Sequence, residues 1–360
     1  MKMQLEQLLQ QDPYSMDKEE KSEMLSDNLK SLTEYHYENC KEYHDMLLNL
    51  GVKIDDFKSY YDIPALPVRL FKEYELMSVP REEIKKVMTS SGTTGQSVSK
   101  IFLDTKNVKA QSAVLTHLIS TCMGKSRLPM IVLDTQLVKK NRRMYSARGT
   151  GITGFSIYGR DIFYALDDDM KLDLDGMQAY IKKHKGERIL LFGFTYMIWQ
   201  YVVCEMEKRE VRLPIEDAVL FHGGGWKKLQ NQAVDSLEFN RRVKDRLGNV
   251  AIHDYYGMVE QLGSIYIECE YGHMHCSNYS DIIIRNPKDF SVQPHGEKGL
   301  MEVVSVLPTS YPGHVLLTED EGVITGEDDC PCGRKGKYFK IIGRIKNAEV
   351  RGCSDTYEKH

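Results

Sequence analysis

Val87-Met88-Thr89-Ser90-Ser91-Gly92-Thr93-Thr94-Gly95-Gln96-Ser97-Val98-Ser99-Lys100 runs from two apolar residues into a hydroxyl- and glycine-rich turn, and the apolar, β-prone Ile101-Phe102-Leu103 follows. That is the layout of a loop between two strands that wraps a polyanion. Gly92 and Gly95 let the backbone bend and come close, while Thr89, Ser90, Ser91, Thr93 and Thr94 offer hydroxyl and amide donors to phosphate oxygens. Ser, Thr and Gly also fill ordinary exposed turns, so the loop alone leaves phosphate binding and a solvent turn as even readings. A Walker A loop needs four residues between its first Gly and a Gly-Lys-Ser/Thr. Here Thr93 and Thr94 alone separate Gly92 from Gly95, and Gln96 follows, so a P-loop nucleotidase fits poorly.

The 360 residues suffice for one large α/β body and a smaller appendage. A formal net charge of -4 with mixed signs shows no basic excess for nucleic acid or an anionic membrane, which leaves a small molecule and another protein as partners. The start, Met1-Lys2-Met3-Gln4-Leu5-Glu6-Gln7, has no apolar h-region, and no run long enough to span a bilayer occurs, so a cytoplasmic protein is expected. In that reducing compartment the 8 cysteines are expected as thiols or metal ligands.

Taken in order, residues 17–50 are helix-rich, with Leu25, Leu29 and Leu32 at helical spacing and Gly51 as a stop. Residues 64–72 read as an extended segment, with Arg69 and Lys72 placed by default on the surface and facing a substrate as the alternative. Thr105 to Met123 is an amphipathic helix, and Met130-Ile131-Val132-Leu133-Asp134 a buried strand. Strand, helix and strand in alternation argue for a parallel sheet. Residues 148–154 read as a loop over a cleft, with Arg148 a candidate anion contact. The strand 189–195 ends in Gly193, Phe194 and Thr195, where a ligand pocket is expected beyond a carboxyl edge, with core aromatics and no ligand as the alternative reading. Two further strands end in glycine turns, at His222-Gly223-Gly224-Gly225-Trp226 and at Tyr255-Tyr256-Gly257. Several such turns in one chain favour a shared ligand over isolated packing loops.

Cys330 and Cys332 form one close pair of thiols, and Cys269 with His275 a second pair earlier in the chain. Together they are sufficient for a closed Cys3His zinc site, with His273 and Cys276 as competing ligands and unmetallated packing cysteines as the alternative.

The loop resembles the Thr-Ser-Gly-Thr-Thr-Gly phosphate motif of adenylate-forming enzymes. Tyr256-Gly257-Met258-Val259-Glu260 resembles their Tyr-Gly-x-Thr-Glu, with Val259 in place of Thr, and Gly223-Gly224-Gly225-Trp226 lies where they have an adenine-binding turn. Thr318-Glu319-Asp320 resembles their Thr-Gly-Asp motif, and Gly343-Arg344-Ile345-Lys346 their Gly-Arg hinge. The Cys330-Pro331-Cys332-Gly333-Arg334 segment is similar to phenylacetate-CoA ligases. The 66–72 entry, the 222–227 turn and the ending Arg351-Gly352-Cys353 are more similar to acyl-protein synthetases.

The resemblance implies an adenylate-forming α/β fold with parallel sheets flanked by helices. It divides into a helical segment over 1–85, a nucleotide-binding core over 86–263, a β-rich subdomain over 264–342, and a hinge and tail over 343–360. The C-terminal domain of the larger enzymes is expected to be largely absent. The implied reaction joins ATP to a carboxylic, in this family fatty, acid and passes the acyl group through Cys353 to an acyl-CoA reductase. In it the 89–95 loop grips phosphates, Gly223 to Trp226 with Tyr255, Tyr256 and Gly257 hold adenine, and Glu260 holds Mg2+. Asp320 fixes the ribose, and Arg344 reaches ribose or phosphate. A CoA ligase and a non-catalytic nucleotide-binding module remain as the other readings.

Overall fold

The computed structural model describes residues 3–90, 98–140 and 147–345. Two compact units emerge, one from residues 3–90, 98–119 and 257–345, the other from 120–256. The strands in chain order are β1 (Leu66–Pro67), β2 (Ile84–Thr89), β3 (Lys100–Asp104), β4 (Leu128–Thr135), β5 (Gly159–Leu166), β6 (Ile189–Phe194) and β7 (Ile215–Gly223). There follow β8 (Gly248–Tyr256), β9 (Tyr266–Glu268), β10 (Met274–His275), β11 (Ser280–Arg285), β12 (Gly299–Ser305), β13 (Val315–Glu327) and β14 (Lys337–Arg344).

The second unit is the parallel sheet that the alternation of strand and helix implied, in the order β8-β7-β6-β4-β5. Its central strands are almost continuously apolar and buried, the pattern of strands covered on both faces. The helix after β6 widens into a π-helical stretch over Ile198–Val203 before returning to α geometry at Cys204. Ile198, Trp199, Val202, Val203 and Met206 are all buried along it. Residues 148–154, expected as a loop, instead lie in a helix, Ala147–Phe155. Two contacts explain the difference: Arg148 pairs with the buried Asp134, and a Cβ at Gly151 would stand only 3.1 Å from the Phe194 ring.

The first unit packs helix Lys18–Asn39, capped by Asp17 on Glu20, with an antiparallel sheet in the order β11-β12-β13-β14-β10-β9. β1 adds to β13 in parallel, and β2 and β3 form a separate hairpin. The expected helical run breaks at Cys40, whose extended backbone divides it in two. After β1 the chain turns helical at Leu70–Glu73, stapled by an Arg69–Glu73 pair, instead of staying extended. Among the described residues, no helix is long and apolar enough to cross a membrane.

Buried polar groups of the first unit are organised around two centres. Asp281 accepts from Lys337 Nζ at 2.6 Å and Tyr60 OH at 2.5 Å, with Lys21 Nζ at 3.5 Å. Burial alone would raise its pKa, but Lys337 and Lys21 outweigh burial and hold it far below the usual carboxylate range. In the second centre His36 donates Nε2–H to the Pro308 carbonyl and accepts from Ser78, while Thr33 donates to Leu29 and accepts from His314 Nε2. Burial keeps both imidazoles neutral, pushing His36 down to about 4 and His314 well below its ordinary value.

A lowered histidine contributes stability that is complete above its unfolded pKa of 6.5 and is lost as pH falls from there towards about 4. Urea unfolding at pH 5 should therefore show about 2 kcal/mol less stability from His36 than at pH 7, with His314 acting in the same direction. In His36→Gln the dependence should be shallower; an unchanged slope would contradict the assignment.

Candidate functional site

In the first unit, the β2–β3 hairpin carries the hydroxyl-rich loop. Its ladder runs one pair past Thr89 and Lys100, with Ser90 N–H donating to Ser99 O at 3.1 Å and Ser99 N–H to Ser90 Oγ at 2.9 Å. Ser91, Gly92, Thr93, Thr94 and Gly95 lie outside the described residues. A cavity of about 290 Å³ opens beside the hairpin, lined by Phe71, Lys72, Tyr74, Glu75, Val98 and Lys100 among others.

Glu260 sits in a short 3-10 turn, Val259–Gln261, that is clamped from below. Its carbonyl accepts from Tyr311 OH at 3.0 Å, and Gln261 Nε2 donates to Gly313 O at 3.0 Å. Gly313 has no room for a side chain, since a Cβ there would lie 2.9 Å from Glu260 O. The Glu260 residue keeps part of its surface open, yet burial of the carboxyl raises its pKa, with Ser99 and the positive fields of Lys72 and Arg344 pulling it back. Ser99 Oγ itself is buried and closes no hydrogen bond of ordinary geometry among the described residues. A carboxylate in such surroundings gains by meeting a cation.

Asp320 and Arg344, 24 residues apart in sequence, are direct cross-strand partners on β13 and β14. Arg344 Nε stands 3.6 Å from Asp320 Oδ1. Thr318 Oγ1 accepts from the Asp320 amide at 3.1 Å and donates to Met301 O at 2.8 Å, so the Thr-Glu-Asp segment is braced by its own first residue.

In the second unit, parallel register brings the strand ends level. Phe194 pairs with Gly223, and Gly223 with Tyr255. The close fit at this edge dictates glycine: a Cβ on Gly223 would lie 2.9 Å from the Tyr255 ring and 3.0 Å from its carbonyl oxygen. Gly224 turns with φ +80°, which disfavours any side chain, and Gly225 is open. Trp226 folds onto Trp199 at 5.0 Å between ring centroids and Phe239 at 6.2 Å. Phe155 stacks on Phe192 at 4.2 Å and lies 5.3 Å from Tyr255, so the edge is walled by aromatic rings.

Thr195 donates to Gly223 O at 3.3 Å and therefore accepts from His222 Nδ1 at 3.0 Å. That fixes the histidine tautomer, and burial holds its pKa down at about 3. Arg148, singled out as an anion contact, makes two bonds to Asp134, Nη2 to Oδ1 at 2.6 Å and Nε to Oδ2 at 3.0 Å, and one to Tyr196 OH at 3.3 Å. Its charge is spent within the protein. Burial raises the Asp134 pKa and Arg148 offsets the rise.

Cys269, His275, Cys330 and Cys332 meet in the first unit, one donor atom from each lying within 4.8 Å of the others. Cys276 is buried against Asp281, whose charge adds to burial in raising its thiol pKa, and is not part of the group. His273 Nδ1 touches Cys330 Sγ at 3.2 Å from outside it. Cys353 lies outside the described residues.

Sequence reading did not single out Ser99, and it placed Lys72 by default on the surface. Ser99 was legible as the residue facing Ser90 once Thr89 and Lys100 close the hairpin. One dimension could not decide between substrate and surface for Lys72, because the short helix that places it in the cavity wall depends on tertiary packing.

Three comparisons bear on this arrangement. Residues 3–360 match the family described as "Acyl-protein synthetase, LuxE". The chain is 24% identical over 357 residues to the long-chain-fatty-acid–luciferin-component ligase of Vibrio harveyi, covering 95% of this chain and 89% of that protein. The ligase of the same name from Aliivibrio fischeri is 24% identical over 360 residues, covering 95% and 90%. An open 2-hydroxyisobutyryl-CoA ligase, solved with its acyl-AMP and CoA, shares the fold with a TM-score of 0.69 at 16% identity, over 93% of this chain and 77% of that one. An adenylate-forming fold and a match along nearly its whole length lead to one conclusion: the chain belongs to the acyl-protein synthetase family.

Proposed function

We propose that this chain works in the cytoplasm as an ATP-dependent acyl-protein synthetase that activates a long-chain fatty acid and loads the acyl group onto its own Cys353. The observation that carries the reading is the level edge at Phe194, Gly223 and Tyr255, where a side-chain-free bend sits between aromatic rings, in a member of this family.

The first step brings a carboxylate to the α-phosphorus of ATP. A carboxylate oxygen forms the new P–O bond, the bond to the β-phosphate oxygen breaks, and pyrophosphate leaves. Both reactants are anions, so positioning and neutralisation of charge do most of the catalysis. In this reading Thr89, Ser90, Ser91, Gly92, Thr93, Thr94 and Gly95 cradle the phosphates. Gly223, Gly224, Gly225, Trp226, Tyr255, Tyr256 and Gly257 hold adenine. Asp320 takes the ribose hydroxyls, and Arg344, its cross-strand neighbour, reaches ribose or phosphate.

Magnesium, when bound, would neutralise phosphate charge. One carboxylate completed by substrate phosphates is a donor set it accepts, and the half-open, burial-raised Glu260 fits that requirement.

In the second step the Cys353 sulfur attacks the acyl carbon, the bond to AMP oxygen breaks, and the thiol proton passes to solvent. Arg351, close in sequence, favours the thiolate. The relatives' name, fatty acid to luciferin component, supports a protein partner downstream, which we take to be an acyl-CoA reductase.

Labelled pyrophosphate should exchange into ATP when long-chain acids are supplied, and intact mass should show one acyl adduct that Cys353→Ser abolishes while exchange persists. Exchange with no acid would favour a nucleotide-binding module; CoA thioester formed equally well by Cys353→Ser would favour a CoA ligase. Glu260→Gln should slow exchange about 100-fold, in the range seen for loss of a charge-stabilising group. Gly223→Ala should raise the KM for ATP roughly tenfold, equivalent to about 1.4 kcal/mol, by displacing Tyr255. An unaltered KM would separate Gly223 from the nucleotide.

A further inference from the structure

We propose that Cys269, His275, Cys330 and Cys332 bind one zinc ion in a closed structural site. The inference stands apart from the ATP reading and rests on spacing. A tetrahedral ion with zinc–sulfur bonds of about 2.3 Å and a zinc–nitrogen bond of about 2.0 Å sets sulfur atoms about 3.8 Å apart and sulfur from nitrogen about 3.5 Å. Cys269 Sγ and Cys330 Sγ are 3.9 Å apart, Cys332 Sγ and His275 Nε2 are 3.4 Å apart, and no pair of the four donor atoms exceeds 4.8 Å. A disulfide would need sulfurs at about 2.0 Å. Cysteines packed merely as small apolar residues have no reason to converge on an imidazole nitrogen.

Local geometry supports the same assignment. The Cys269 turn closes with Gly272 N–H donating to Cys269 O at 3.0 Å, and the Cys330 turn closes likewise with Gly333 N–H to Cys330 O at 3.0 Å. Gly272 and Gly333 both take positive φ, +75° and +83°, the conformation that a tight turn of this kind demands. His275 is fully buried, and Nε2 is the ring nitrogen that faces the sulfurs, 3.4 Å from Cys332 Sγ.

An outer layer surrounds the group. His273 places Nδ1 3.2 Å from Cys330 Sγ, so a neutral ring can donate N–H to a thiolate while stacking on Tyr338 at 4.4 Å. Such bonds from outside the ligand set hold ligating groups in orientation. Arg334 lies over the Tyr14 ring at 4.4 Å, and Tyr14 meets His275 edge-on at 6.1 Å. Three thiolates on a dication leave one net negative charge, for which Arg334 is the nearby countercharge.

All four positions come from the protein, so the site has no opening for water or substrate and its role is to hold structure. It ties the β9–β10 turn to the β13–β14 connection. β14 is the strand that carries Arg344 to its place opposite Asp320.

The full chain, purified without chelator, should contain about one zinc per molecule, and X-ray absorption should report three sulfurs at about 2.3 Å and one nitrogen at about 2.0 Å. Cys332→Ser should lose zinc to a competing chelator at least tenfold faster, while Cys276→Ser should retain it like the parent. The absorption measurement on the parent chain decides the matter even if ligand variants fold poorly. Less than about a tenth of an equivalent of zinc after refolding in its presence, or fewer than three sulfur neighbours, overturns the proposal.

Discussion

The constraint on which the second unit depends is the parallel register of β6, β7 and β8. Parallel strands that pair Phe194 with Gly223 and Gly223 with Tyr255 must end at one level, and their following loops then share one edge. Everything distinctive about that edge follows from crowding. Tyr255 leaves no space for a Cβ at 223, Phe194 stands against positions 151 and 224, and Thr195 ties the His222 ring to the Gly223 carbonyl. Three consecutive glycines are thus not a flexible linker: two answer to contacts or to a positive φ, and only Gly225 is free of both.

The first unit solves a different problem, the burial of charge in an antiparallel sheet. Asp281 is surrounded by two lysines and a tyrosine, so its negative charge is balanced and its oxygens are occupied. Buried ions arranged this way cost much to separate and add little over an apolar core, and here they join helix Lys18–Asn39 to β11 and β14. The histidine pair does the reverse, its two titratable rings held neutral by burial, with His36 bonded at both ring nitrogens and His314 at Nε2.

Much of this was readable in one dimension because it rests on local pattern. Continuous apolar runs such as Met130 to Leu133 identify strands covered on both faces, and helix Thr105–Met123 begins and ends where its amphipathic pattern does. The Asp320 and Arg344 motifs were legible as two separate signals. That they face one another was not, because β-pairing joins residues by register, which irregularities in β13 and β14 obscure. Arg148 shows the opposite failure. Its glycine-rich surroundings indicate a loop, yet a buried carboxylate on β4 and an aromatic ring on β6 select a helix, and propensity yields to packing.

The widened helical turn after β6 has a consequence for how this segment tolerates change. A π turn holds about one residue more than α geometry needs for the same rotation, so deleting that residue would leave a regular helix with all that follows still in phase. Met206, at the bottom of its buried stripe, would stay in the core, and its charged neighbours Glu205 and Glu207 would keep their places beside the stripe. A single-codon deletion between Ile198 and Val203 would therefore act like a trimmed bulge, felt where the residue was lost, whereas the same deletion in a regular stretch of helix would turn everything beyond it by about 100°.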